Sequence, residues 1–364
     1  MPAVQHIKAM QLIWHCWITP ILFLSAVISF GGTYASLAVA DITPPAVSPP
    51  RETLRVRRPI PLEANLQAIV HLQDFAVDPP QTFGSGRLPL VPFGDTGVHV
   101  LRGTFGNQPQ WFLLDTGAST SLLSDAITQT LPGSGQVISP QQLGFAVAGE
   151  DCPDMSATLH QVPDLQLETV RITNLWGLQF QHVQIPQGIS AVLGMDVLRQ
   201  FDVHIQPGQK SLRLLPPTIL PANVVAEAIP LKERLGVMLT KVQLNGQGPF
   251  TMLLDTGAGS TFISEGVAQQ LRLQSDTLEP IHIQGFCGLE TAMRSRLTSL
   301  KLQQHEQTNL ETIILSSPIL EMLNVDGILG QNFLNGYRQY WRFTPANLPT
   351  GKVEGSLLLY PESP

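Results

Sequence analysis

Cysteine is scarce in this chain of 364 residues: only Cys16, Cys152 and Cys287 are present. Three cysteines cannot build a disulfide framework, and none of them has the close paired spacing of a zinc site. No His-Glu-x-x-His segment occurs and the nine histidines are scattered, so there is no candidate metal-ligand set and no cofactor is expected. No serine stands in a Gly-x-Ser-x-Gly elbow, which removes the usual signal for a serine nucleophile. Charge is also thin, at 13% of residues, with 21 basic against 28 acidic side chains and a net charge of −7. With no basic block between residues 86 and 362, a nucleic-acid partner is not expected.

Charge is missing altogether from Ala9 to Ala40, and Ile18 to Phe30 is strongly apolar after a single Lys8. Residues 1–40 read either as a secretory signal ending at Ala38-Val39-Ala40 or as an uncleaved membrane anchor through residues 9–40. Both readings put the remainder outside the cytoplasm: secreted, periplasmic or anchored. Residues 41–62 then place Pro44-Pro45, Pro49-Pro50, Pro59 and Pro61 among Arg51, Arg55, Arg57 and Arg58. Proline at this density disfavours helix and sheet, so residues 41–85 are expected to be an extended linker or, alternatively, an inhibitory prosegment. Residues 63–85 carry no clear pattern of their own.

What the chain has in place of these features is a repeat. Asp115-Thr116-Gly117-Ala118 recurs as Asp255-Thr256-Gly257-Ala258, 140 positions later, each at the end of an apolar run that closes on two leucines. Upstream, Leu88-Pro89-Leu90 parallels Ile229-Pro230-Leu231, and Gly97-Val98 parallels Gly236-Val237. Polar turns follow at Gly106-Asn107-Gln108 and Asn245-Gly246-Gln247, a hairpin signal between apolar flanks. Downstream, Ser124 and Ser264 each precede an acidic residue and a short helical stretch, as N-caps do. Ala191-Val192-Leu193-Gly194 parallels Gly327-Ile328-Leu329-Gly330, and each copy ends in a further strand pattern, at residues 211–215 and 356–360. Strand-sized segments between Gly, Pro and Asn turns predict an all-β chain with one short helix per copy.

On these motifs the chain resembles the clan AA aspartic proteases, with short lobes similar to retropepsins fused in tandem. The resemblance covers roughly residues 86 to 362 and implies two homologous β-barrel lobes, residues 86–217 and 225–362, related by a pseudo-twofold axis with the active-site cleft between them. It implies an aspartic endopeptidase acting on peptide or protein substrates, as a monomer whose lobes pair within the chain. Asp115 and Asp255 are then the catalytic pair. Two carboxyl groups about 3 Å apart cannot both ionise easily, so one takes a proton from water while the other donates to the scissile carbonyl. Thr116 and Thr256 are implied to bond across the lobe interface, and Gly117 and Gly257 to let backbone approach the carboxylates.

Flaps are expected between the helix and the following Leu-x-Leu strand of each copy, around Phe145 and Gly149 in the first and Phe286 and Gly288 in the second. One alignment of the copies superimposes Cys152 on Cys287 and another separates them, so a disulfide and two free thiols both stand open. Asp196, opposite Asn332, reads as a structural hydrogen-bonding residue. The alternative from another class is a catalytically idle or latent bilobal peptide-binding protein, although both loops keep the Asp and Gly whose loss would mark one.

Overall fold

A computed structural model describes residues 62–65, 68–72, 77–139, 142–147, 156–181, 183, 185–273, 278–348 and 351–362. Residues 1–40, with both readings of that stretch, and most of the proline-rich segment lie outside the described residues. Among the described residues no helix is long and apolar enough to cross a membrane.

The chain folds as two all-β lobes. Each contains a hairpin near its start, His99–Phe105 with Gln108–Leu114 in the first lobe and Val237–Leu244 with Gln247–Leu254 in the second. Asn245 and Gly246 take φ of 49° and 73°, the pair of left-handed conformations that a type I′ turn demands. The second hairpin strand of each lobe runs into the Asp-Thr-Gly loop. Beside it, in parallel, lies a short strand, Ala191–Leu193 or Gly327–Leu329, whose residues are all buried. The strand leaving each loop, Leu122–Leu123 or Thr261–Ile263, pairs antiparallel to that same short strand. An uninterrupted apolar triplet is what a strand covered on both faces requires.

The lobes meet in six strands at one end of a 14-stranded sheet. Their order is Gly86–Pro89, Ser211–Leu215, Asp202–Gln206, Tyr337–Arg342, Gly355–Pro361 and Ile229–Arg234. Three strands come from each copy, and equivalents sit at mirrored places, so the order reads the same from either end. The pseudo-twofold axis therefore passes between Asp202–Gln206 and Tyr337–Arg342, which pair antiparallel with His204 opposite Tyr340. The motifs Leu88-Pro89 and Ile229-Pro230 lie on the outer strands of this six-strand group, where a missing N–H is tolerated.

Helix content exceeds one per copy. Asp125–Thr128 and Met195–Leu198 belong to the first lobe, and Glu265–Gln270, Pro318–Leu323 and Gln331–Leu334 to the second. The helices after Ser124 and Ser264 start with those side chains accepting from Ile127 and Val267 N–H. Those after Gly194 and Gly330 have no side-chain cap, so no capping signal announced them.

Candidate active site

The two Asp-Thr-Gly loops face each other across the axis, and every Asp and Thr in them is buried. Each Asp backbone N–H donates to the short buried strand of its own lobe, Asp115 to Leu193 O and Asp255 to Leu329 O, both at 3.1 Å. Beyond the loops, Met195 N–H donates to Ala118 O and Gln331 N–H to Ala258 O, both at 2.8 Å. The next glycines explain themselves by contact. A Cβ on Gly194 would come within 2.8 Å of Ala118 O, and one on Gly330 within 2.0 Å of Ser260 O.

Thr116 and Thr256 interlock. Thr116 N–H donates to Thr256 Oγ1 and Thr256 N–H to Thr116 Oγ1, each at 3.0 Å. Each hydroxyl then donates to the opposite lobe, Thr116 to Leu254 O at 2.9 Å and Thr256 to Leu114 O at 3.0 Å. Four reciprocal bonds in a dry interface hold the loops in register, because any slip strands several buried polar groups at once.

Within each loop the carboxylate is held by backbone. Gly117 N–H reaches Asp115 Oδ1 at 2.7 Å and Ala118 N–H reaches it at 3.1 Å, while Gly257 N–H reaches Asp255 Oδ1 at 2.7 Å. A Cβ on Gly117 would lie 2.4 Å from the Asp255 carboxyl carbon, and one on Gly257 would lie 2.5 Å from that of Asp115. Each glycine thus backs onto the carboxylate of the other lobe. Burial first, then the charge and carboxyl hydrogen bond of Asp255, push the Asp115 carboxyl well above the ordinary carboxylate range, against the pull of the two N–H donors. A pair in that condition keeps one proton between two acids.

Asp196 lies beside the first loop, not in the pair. It accepts from Ser121 N–H at 3.0 Å, from Ser121 Oγ at 2.8 Å and from Val197 N–H. Enclosure of its carboxyl raises it to about 6 even so. Asn332 fills the equivalent place, where Thr261 Oγ1 donates to its Oδ1 at 2.7 Å.

Two residues that sequence reading passed over brace the interface. Arg199 donates to Gly236 O at 2.9 Å, with Glu233 at 3.6 Å, and Asn335 donates to Gly97 O at 2.8 Å. Arg199 and Asn335 stand five residues after Gly194 and Gly330, so the repeat marked the positions although their side chains differ.

The segment expected to form the second flap is a hairpin, Glu279–Gly285 with Gly288–Leu302, turning at Phe286 and Cys287. Gly288 holds the turn with φ of 85°. Phe286 and Cys287 are buried in a cluster with Val98, Leu113, Leu122 and Val192, so this hairpin from the second lobe packs on the first. In the first lobe Phe145 lies on the strand Leu143–Val147, whereas Gly149 and Cys152 fall outside the described residues. Cys287 is disulfide-bonded, to a partner that also lies outside them. Among the described residues no group of three or more His, Cys, Asp or Glu is placed to hold a metal ion.

Residues 240–336 match the family described as gag-polyprotein putative aspartyl protease. That stretch holds the second Asp-Thr-Gly-Ala and Ile328-Leu329-Gly330, and through it the chain is similar to the aspartic proteases of clan AA. No curated protein matches the sequence. Among solved structures, a retropepsin-like aspartic protease from Rickettsia conorii is 16% identical, with a TM-score of 0.26 over 36% of this chain and 90% of that one. The fold given above rests on the sheet order and not on that superposition.

Proposed function

We propose that the chain is an aspartic endopeptidase whose two tandem retropepsin-like lobes supply one catalytic aspartate each. The observation that carries this reading is the reciprocal packing of each loop glycine on the other lobe's carboxylate, which sets Asp115 and Asp255 within hydrogen-bonding reach, where a pair of acids shares one proton. In that state the ionised member takes a proton from a water held between the carboxyls, and the oxygen attacks the peptide carbonyl carbon. The protonated member donates to the carbonyl oxygen, giving a neutral tetrahedral diol. Its collapse breaks the C–N bond as a proton passes to the amine, and the pair returns to one shared proton. Near-symmetry leaves the acid and base roles to be set by the orientation of the bound peptide.

The test is cleavage of a mixed peptide library from pH 3 to 8, with and without a statine-type transition-state inhibitor, in the wild type and in Asp115→Asn and Asp255→Asn. Inhibitable cleavage that drops at least about a thousandfold in each folded variant is expected, since either change removes the shared proton. Undiminished cleavage in a folded Asp→Asn variant overturns the assignment.

A further inference from the structure

The six strands shared by the lobes have two faces, and the core covers one of them. Val203, Trp341 and Leu357 pack into the main apolar cluster, which also holds Leu114, Leu254 and Ala258 from around the Asp-Thr-Gly motifs. Side chains alternate between the faces of a strand, so the neighbouring Asp202, Arg342 and Ser356 lie on the other face. There Arg342 stands opposite Ser356 in the strand register, with its Nη1 3.8 Å from Asp202 Oδ2. A cavity of about 370 Å³ opens beside them. Ile219, Leu220 and Val225, from the segment that links the lobes, form its apolar wall with Pro345, and Arg342, Lys352 and Ser356 give it a polar one.

The polar wall consists of donors short of acceptors. Ser356 is 1% exposed, yet among the described residues its Oγ has no hydrogen-bond partner. Arg342 donates through Nη1 to Thr218 Oγ1 at 2.8 Å and to Thr218 O at 3.3 Å, whereas its buried Nε has no partner among the described residues. Leaving a buried donor unmet costs free energy, and an ionised oxygen is the acceptor that recovers most of it. Lys352 is exposed and adds a second cation, and none of the described residues that line the cavity is acidic. Asp202 balances Arg342 from the Nη1 side, so the positive charge in excess is that of Lys352. The apolar wall is wet, for Ile219 is 87% exposed, more than any other large apolar side chain among the described residues. An apolar group laid against it removes that surface from water.

We propose that this cavity binds a small monocarboxylate bearing a branched apolar chain. The carboxylate accepts from Arg342 Nε and Ser356 Oγ beside Lys352, and the chain lies against Ile219, Leu220, Val225 and Pro345. One surplus positive charge matches a single negative one, and the volume falls at the small end of ligand pockets. The carboxyl end of a peptide with an apolar last residue and a free branched-chain acid both offer this chemistry. Ile219 and Val225 belong to the link between the lobes, whereas Arg342 and Ser356 belong to the shared sheet, so a bound acid fastens link to sheet. It does so on the face turned away from the Asp-Thr-Gly loops, and its binding does not depend on the peptidase reading.

The test is a ligand-observed NMR titration of the full chain at neutral pH with N-acetyl-leucine, isocaproate, N-acetyl-leucine amide and inorganic phosphate. Both acids are expected to bind with a Kd of about 1 mM or tighter, as ligands of their size can. The amide lacks the charge and phosphate lacks the chain, so each is expected to bind at least about tenfold more weakly. Ser356→Ala deletes a hydroxyl with no partner in the fold, and is expected to weaken acid binding about tenfold at an unchanged melting temperature. Lys352→Ala, at an exposed position, is expected to weaken it about threefold. N-acetyl-leucine binding at least as tightly as isocaproate assigns the site to peptide ends, the reverse order assigns it to free acids, and both uphold the proposal. No acid binding at about 10 mM, equal binding of the amide or of phosphate, or undiminished affinity in folded Ser356→Ala overturns it. Should Ser356→Ala fail to fold, undiminished affinity in Lys352→Ala overturns it instead.

Discussion

Gly117 and Gly257 are constrained from the opposite lobe, since each occupies the space against which the opposite carboxylate rests. Gly117→Ala forces a methyl group into the Asp255 carboxyl, and the loops must part to accept it. A shift of about 1 Å at reacting groups costs on the order of a hundredfold in rate, and overpacking of this kind costs about 1–3 kcal/mol of stability. Peptidase assay and thermal melting on the same preparation should show both losses. Thr256 separates support from chemistry. Thr256→Val leaves Thr116 N–H and Leu114 O without their partner and should cost about 2–4 kcal/mol by denaturant titration, whereas Thr256→Ser keeps the hydroxyl and should retain most of the stability. Equal melting temperatures for the Val and Ser variants would refute a role for the cross-lobe bonds.

At the level of elements, the hairpins, the two Asp-Thr-Gly loops and the capped helices were legible because each is specified by its own residues. Asn245-Gly246 dictates its turn, and Ser124 and Ser264 dictate their helix starts. The uncapped helices after Gly194 and Gly330 were not legible, since what fixes them is a bond to the loop, Met195 or Gln331 to the carbonyl of Ala118 or Ala258. Strands Leu62–Asn65 and Ala68–Leu72 were illegible for a related reason. Their partners lie some 75 to more than 200 residues away, and nothing in a short extended segment reports which edge it joins. The braces at Arg199 and Asn335 escaped because equivalent positions hold different side chains that reach equivalent glycine carbonyls. Asn335→Ala removes the donor to Gly97 O and should lower stability by about 1 kcal/mol, and Arg199→Ala, which also loses the contact with Glu233, by a similar amount or somewhat more. Chemical denaturation of the two single variants and the double variant measures each brace.

For the whole molecule, two ionisable groups outside the Asp115–Asp255 pair, the half-buried Asp196 and the buried His99, make opposing demands on pH. Asp196 rises in the folded state to about 6, so the protonated form favours folding, and that stability is present in acid and lost as pH rises through 6. His99, buried on its strand, falls to about 4 because burial disfavours its cation. Its contribution is present above the ordinary histidine value and lost as pH falls toward 4. Each carries roughly 2–3 kcal/mol between pH 7 and pH 4. Relative to the wild type, Asp196→Asn should therefore lose that much of any gain on acidification, and His99→Gln should gain it. Denaturant midpoints at pH 4, 5, 6 and 7 check both signs.

The six shared strands read identically from either end, yet the side chains mounted on that frame do not. Asp196 stands where the other half has Asn332, Met195 where it has Gln331, Arg199 where it has Asn335, and Ser119 where it has Gly259. When one gene product supplies both halves by pairing with itself, every substitution appears on both sides of the groove at once, and the groove cannot tell left from right. A polypeptide can, because its amide sequence has a direction. Joining the halves in one chain lets each side be altered alone, so that, on the proposed function, a groove built on a symmetric plan acquires a handedness with which to distinguish a peptide threaded forwards from the same peptide threaded backwards.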